Sequence, residues 1–280
     1  MHSPRISSLR MFGARNTVGF RRTTRFSRIA LSLFLIAPLL IPVNFVLINP
    51  GEGTPLFPKM LKTTTSKTYP VDGQMFLLSI WVTNPETAVL GFQVLRCWAE
   101  PTCVVTPRKV IYPKETSDDA EMAMGAKEMK QSQSSALAAT KRLFAKEYPD
   151  VNLRGVTDDS LKVSLKDTGG PSGGLIFALG LTELLAPENL LNGRNIAATG
   201  TISKSGKVGA IGGVQEKIVA ARFAGAQLLF ISRENCDELP TEVTGLKVIA
   251  VSTLEEAYLA LKNPGNSDFR GVQGCTNLSA

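Results

Sequence analysis

The sequence predicts an α+β (mixed α/β) domain preceded by one transmembrane helix. Three observations carry that reading. From about residue 160 onward, short apolar strands alternate with helical segments. Upstream, the run from Ile29 to Ile48 (IALSLFLIAPLLIPVNFVLI) contains no charged residue and would cover the ~30 Å of bilayer hydrocarbon. Between a strand and an apolar helix lies the glycine-rich turn Gly169-Gly170-Pro171-Ser172-Gly173-Gly174.

In chain order, residues 1–28 hold seven arginines and no acid. Without those seven, the 31 basic residues fall to 24, equal to the 24 acidic ones, so the net charge of +7 belongs to this tail. The rest is neutral, and a nucleic-acid partner is not expected, because a binding domain carries its excess charge on its own surface. The arginine asymmetry puts the N-terminus in the cytoplasm and residues 50–280 outside. No small-x-small cleavage site follows the apolar run, so we expect a single-pass anchor at 29–49 rather than a cleaved signal. An acid-free, arginine-bearing leader is also the composition of an organelle transit peptide. Residues 50–69, rich in Gly, Pro, Thr and Lys, read as a linker.

Residues 70–115 read as β-rich, with strands over Met75–Val82, Gly91–Trp98 and Cys103–Val105 in a small antiparallel sheet. Residues 118–263 read as the catalytic part. Thr116 and Asp119 have capping-box spacing, and a long helix is predicted over about Asp118–Lys146, burying Met122, Met129, Leu137 and Phe144. Its middle, KQSQSSALAAT, offers a small, polar face suited to packing against backbone. A strand over Leu161–Leu165 leads into the glycine-rich turn, and Leu175–Leu185 is a buried helix. Strands are expected at Ile196–Thr199, Val208–Ile211, Gln227–Ser232 and Lys247–Ser252, with helices over about Val214–Ala224 and from Ser252 to near Lys262. Residues 264–280 form a polar tail with a glycosylation sequon at Asn277.

The four cysteines fit an exported domain. Cys97 and Cys103 are placed to close a small loop, and Cys236 and Cys275 to pin the C-terminal tail, but connectivity does not follow from sequence. The sole histidine, His2, lies in the tail, which excludes a Ser-His-Asp or Cys-His engine in the folded part and argues against a His-ligated metal. No cofactor is expected.

Ser172 at a helix N-terminus would have backbone N–H groups and the helix dipole beside it, the environment an oxyanion needs. The same turn also serves as a plain cap. A nucleophilic serine without histidine needs another base, and a lysine qualifies when burial keeps its amine neutral. Lys217, early in a helix opened by Gly212-Gly213 and flanked by Ile211, Val214, Ile218 and Val219, is the candidate. Lys204 and Lys207 are the alternatives.

The stretch Leu161–Asn235 resembles the proteolytic domain of Lon proteases, Ser-Lys dyad peptidases. The likeness rests on GGPSGG and on ATGTISKSGKVGAIGGVQEKIVAARFAGAQLLFISREN, with EMKQSQSSALAATKRL similar to the family's preceding helix. It implies Ser172 as nucleophile, Lys217 of the GG-x-x-E-K motif as general base, and Thr199 as a support that holds the lysine. Gly170 and Gly173 shape the turn.

Two positions depart from the pattern. Gly169 stands where the family has aspartate, with Asp167 displaced, and Thr201 stands where it has an acid. With the anchor and YPVDGQMFLLSIWV, these features are closer to membrane-anchored bacterial Lon-like proteases. Such proteins usually carry a PDZ domain, for which residues 119–165 leave no room. No Walker A motif occurs either, since Gly200–Lys207 is one residue too long and ends in Val208.

The expectation is therefore a membrane-anchored, ATP-independent serine endopeptidase acting on unfolded or flexible polypeptide segments. The alternative is a silent Lon-fold module that binds peptides or assembles partners. The family's rings raise a possible homo-oligomer.

Overall fold

The computed structural model describes residues 24–63, 67–158, 161–163, 169–240, 243–263 and 272–275. His2, the first arginines of the tail, Ser164–Leu165, Asp167 and Asn277 lie outside them.

Helix α1 (Arg25–Leu40) starts on Thr24, whose hydroxyl accepts the Ser27 N–H. Strands β1 (Pro42–Val43) and β2 (Phe45–Pro55) follow. This corrects the expected span at 29–49. Pro42 cannot donate the hydrogen bond that would continue the helix, and Phe45–Ile48 pair as a strand instead. The helix is 16 residues long, roughly 24 Å at 1.5 Å per residue. No helix among the described residues is long and apolar enough to cross a membrane. None of the α1 side chains is buried, and Phe26, Leu33 and Phe34 are among the most exposed apolar groups described.

The expected linker is also corrected. Residues 50–55 are the second half of β2, and Leu56, Phe57 and Met60 enter the core together with Leu61, the first residue of β3 (Leu61–Thr63). Strand β4 (Gln74–Val82) forms as predicted. Beyond β5 (Val89–Leu90), the segment read as a strand at 91–98 is instead helix α2 (Gly91–Ala99). Gln93 accepts the Leu90 N–H at the helix start, and Val94 and Cys97 form a buried i, i+3 pair beneath exposed Phe92, Leu95 and Trp98. Strand β6 (Val104–Pro107) and the one-turn helix α3 (Arg108–Ile111) complete this part.

Helix α4 (Asp118–Glu147) matches its expected range, although Ser117 rather than Thr116 is the cap. Met129, Leu137 and Phe144 are buried; Met122, expected with them, is 59% exposed. The remaining elements are β7 (Leu161–Val163), α5 (Gly174–Leu185), β8 (Asn195–Thr199), β9 (Thr201–Ile202), β10 (Val208–Gly209), α6 (Val214–Phe223), β11 (Leu228–Ser232), β12 (Lys247–Val251), α7 (Leu254–Lys262) and β13 (Val272–Gln273). They follow the predicted order except for β9, which was not expected, and β13, which with the bonded Cys275 lies in the stretch read as a polar tail at 264–280. Thr253 caps α7 one residue later than expected.

Seven strands form one sheet in the order β13-β12-β11-β8-β4-β2-β6. The neighbours from β13 to β4 run parallel, and β2 and β6 add an antiparallel edge. The mixed α/β class is as expected, but the β-rich part is one edge of the catalytic sheet rather than a separate small sheet. Strand alternation splits the core in two. Met75, Leu77, Ile196, Ala198 and Phe230 face α4, α5 and α7, whereas Phe76, Leu78, Ala197, Leu229 and Ile231 face α6. Both cysteine pairs are bonded, Cys97–Cys103 and Cys236–Cys275.

Candidate active site

Ser172 sits in a single 3-10 turn, Pro171–Gly173, which runs directly into α5. Gly170 enters the turn at φ +93°, where a side chain is strained, and its N–H donates to Gly125 O of α4 at 3.0 Å. A Cβ on Gly169 would lie 2.9 Å from Gly125 Cα. The segment before the serine thus rests backbone to backbone on α4, which only glycine permits. At Gly173 a Cβ would lie 2.9 Å from both Leu77 and Phe177. Gly170 and Gly173 therefore support the turn by conformation and by space respectively.

On its other side the turn is tied to the end of β8. The Gly200 N–H donates to Ser172 O at 2.9 Å, and the buried Thr199 hydroxyl reaches the same oxygen at 3.4 Å. The role expected of Thr199 is to hold the lysine; its hydrogen bond goes instead to the serine's carbonyl. The Gly174 N–H is used by Pro171 O, so Ser172 and Gly173 remain as the turn's candidate amide donors.

Lys217 approaches from the opposite face of the sheet. Gly213 adopts φ +69° as the cap of α6, close enough to Ile80 that a Cβ would lie 2.9 Å from it. The Lys217 N–H closes the first turn on Gly213 O at 3.0 Å. Because Ile80 lies beyond Leu77 on β4, and Leu77 pairs with Ala198, both approaches converge on the C-terminal ends of β4 and β8.

Lys217 is 3% exposed and is the one buried lysine among the described residues. Burial pushes its amine down to about 8, against the opposing pull of the Glu216 and Glu238 carboxylates. The alternatives are in water: Lys204 is exposed, and Lys207 pairs with Glu234 at 2.9 Å. No hydrogen bond among those described joins Lys217 Nζ to Ser172 Oγ or to Thr199. The structure brings serine, threonine and lysine to one end of the sheet without closing the serine–lysine contact. Among the described residues no cluster of His, Cys, Asp or Glu suits a metal ion.

Two contacts at the turn lie beyond the sequence-based expectation. Gly125 had one signal, a glycine inside a helix, which costs about 1 kcal/mol relative to alanine and marks a close approach. Ser132, in the small polar stretch of α4, donates from its buried hydroxyl to Pro171 O at 3.0 Å. Ser132→Ala is expected to lower the unfolding free energy by about 1 kcal/mol and turnover severalfold, read by denaturant titration and peptide cleavage. Unchanged values in both would remove Ser132 from the site's support.

The profile of the Lon protease (S16) C-terminal proteolytic domain matches residues 129–262. The mitochondrial Lon protease homolog of Caenorhabditis briggsae is 35% identical over 136 residues, 46% of this chain and 14% of that protein. Lon protease of Campylobacter concisus is 37% identical over 99 residues, 34% of this chain and 12% of the relative. Lon protease 2 of Bacillus subtilis is 38% identical over 87 residues, 31% and 15% respectively. The chain therefore spans about a seventh of the length of these relatives. Ser172, Thr199 and Lys217 all fall inside the matched range, which also contains three of the sheet's seven strands (β8, β11 and β12) and the helices α5, α6 and α7 that flank it. Residues 129–262 of this chain are thus similar to the Lon protease (S16) C-terminal proteolytic domain, and the relatives that share the match are Lon proteases.

Proposed function

We propose that the chain is a membrane-attached, ATP-independent serine endopeptidase in which Ser172 is the nucleophile and Lys217 the general base. The observation that carries this reading is the buried, depressed amine of Lys217 at the sheet end that also holds the serine turn. Neutral Lys217 takes the Ser172 hydroxyl proton as Oγ attacks the scissile carbonyl. The resulting ammonium protonates the leaving amine, and water then repeats the cycle on the acyl-enzyme. The Ser172 or Gly173 amide at the α5 N-terminus stabilises the oxyanion. The missing serine–lysine hydrogen bond is compatible with this, because such contacts tighten when substrate binds. It also favours the second reading, a silent peptide-binding or assembly module.

Membrane attachment through the N-terminal segment is supported by the largely exposed apolar surface of α1 and the arginines before it. Two bonded cysteine pairs agree with an extracytoplasmic domain. ATP independence is our reading of residues 1–280, in which no phosphate-binding loop motif occurs; an enzyme acting without a motor takes substrates that are unfolded or flexible.

An impermeant thiol reagent, applied to intact cells after mild reduction, should label Cys97 and Cys103. Cleavage by the full chain in detergent should change less than about twofold with ATP and magnesium. Protection of the thiols until lysis would overturn the topology, and strong ATP stimulation of a pure preparation would overturn the independence.

A further inference from the structure

The loop that delivers Lys217 into α6, Ala210–Gly213, has almost no secondary structure of its own, and its polar contacts come from one place. A 3-10 segment, Arg233–Glu238, follows β11 and lies alongside it. Asn235, 1% exposed, takes both polar groups of one residue: its Oδ1 accepts the Ile211 N–H at 3.0 Å, and its Nδ2 donates to Ile211 O at 2.9 Å. Nδ2 also donates to Glu238 Oε1 at 2.7 Å, and Glu234 accepts the Ala210 N–H at 3.0 Å. Gln215, the second residue of α6, donates to Glu238 O.

We propose that Asn235 is a positioning residue for the peptidase reaction, fixing the Ile211 backbone and through it the burial of Lys217. The inference rests on the assignment of Lys217 as base. The chain of contacts is short. Ile211 is two residues from Gly213, whose carbonyl closes the first turn of α6 on the Lys217 N–H and whose Cα is pressed against Ile80. With Ile80 on one side and Asn235 on the other, the loop is held between the sheet and the 3-10 segment. An Asn offers a donor and an acceptor on separate atoms, matched to the N–H and C=O of one residue; ionised Asp has no donor, and Ser has both functions on a single oxygen. If the loop loosens, α6 can lift at its first turn and water reaches the amine. The charged groups facing Lys217 are Glu216 on its own helix and Glu238 on the 3-10 segment, and both favour the ammonium. Hydration of the amine would leave those carboxylates unopposed.

The test compares wild type, Asn235→Ala and Tyr258→Phe as full chains in detergent, with rates normalised to sites titrated by a serine-directed inhibitor. Tyr258→Phe removes a hydroxyl bonded to Tyr148 and Lys262 on the far core and serves as a stability control. Asn235→Ala should lower kcat per titrated site by roughly 10- to 100-fold, leave KM within about twofold, and move the midpoint of the rising pH limb up by about one unit. Tyr258→Phe should leave kcat and midpoint unchanged.

If Asn235→Ala only reduces the number of titratable sites, with kcat per site and midpoint as in wild type, Asn235 is structural and the inference falls. An inactive wild type would instead overturn the peptidase reading itself. Should the alanine variant not fold, Asn235→Ser keeps a small polar group that cannot span both Ile211 atoms, and the same outcomes apply.

Discussion

Turnover of an unstructured polypeptide by the full chain is expected to rise with pH through a midpoint near 8 and to vanish in Lys217→Arg as completely as in Ser172→Ala. The base works only when neutral, and burial lowers its pKa from 10.5 to about 8. Guanidinium stays charged throughout this range. Loss of the base should cost about two to four orders of magnitude in kcat. The same burial makes a prediction for stability. Between pH 8 and 10.5 the unfolded chain holds the lysine proton and the folded chain releases it, so stability rises with pH across that window and carries the full penalty below it. Lys217→Met should therefore be inactive yet more stable at pH 7, by on the order of 3 kcal/mol. Near-full turnover in a folded Lys217→Ala, or a midpoint close to that of free lysine, would exclude this residue as base.

That Ser172 and Lys217 could be chosen from sequence follows from the kind of signal they leave. A serine between glycine pairs and a lysine amid apolar residues leave a plain cap and a surface lysine open as readings; the resemblance of GGPSGG and GG-x-x-E-K to the Lon proteolytic domain is what singles the two out. The clamps around them leave no such trace. Ser132 meets Pro171, and Asn235 meets Ile211, across loops whose path is set only by the sheet. Thr199 shows the limit in another way: its position was legible, but which group its hydroxyl would meet was not.

Strands β8, β11 and β12 and the helices between them were legible because strands buried on both faces read as short apolar runs broken by helices, whereas the two-residue strands β9 and β13 leave no such run. That same property misled the reading upstream. Phe45–Ile48 belongs to a strand between β4 and β6, yet after α1 it simply prolongs a hydrophobic run. Hydropathy cannot separate the two; Pro42, where the helix has ended, is the mark that does. At Gly91–Ala99 the content of Phe, Val, Leu and Trp favours a strand, and the i, i+3 burial of Val94 and Cys97 that makes it a helix shows only against the sheet.

Replacing Cys236 and Cys275 together by serine should lower the unfolding free energy by about 4 kcal/mol, the closure entropy of a loop of this length. The two cysteines are 39 residues apart, and among the described residues the end of that loop is otherwise held by a short strand pairing and by the packing of Val272. Strand β13 pairs with β12 through only Val248–Val272 and Ile249–Gln273, at the sheet's edge. Gly274, at φ +92°, turns the chain so tightly that a Cβ would sit 2.2 Å from Ala250 O, which brings Cys275 back toward the 3-10 segment. Cys236 lies in the same segment that grips Ile211 through Asn235, so the bond braces the loop behind Lys217 as well as the edge strand. Denaturant unfolding of the oxidised wild type, the reduced wild type and the double serine variant measures the effect. The last two should coincide if Cys97–Cys103, which closes a loop of only six residues' separation, contributes little. A double variant as stable as the oxidised protein would show that β13 is held by its strand pairing alone.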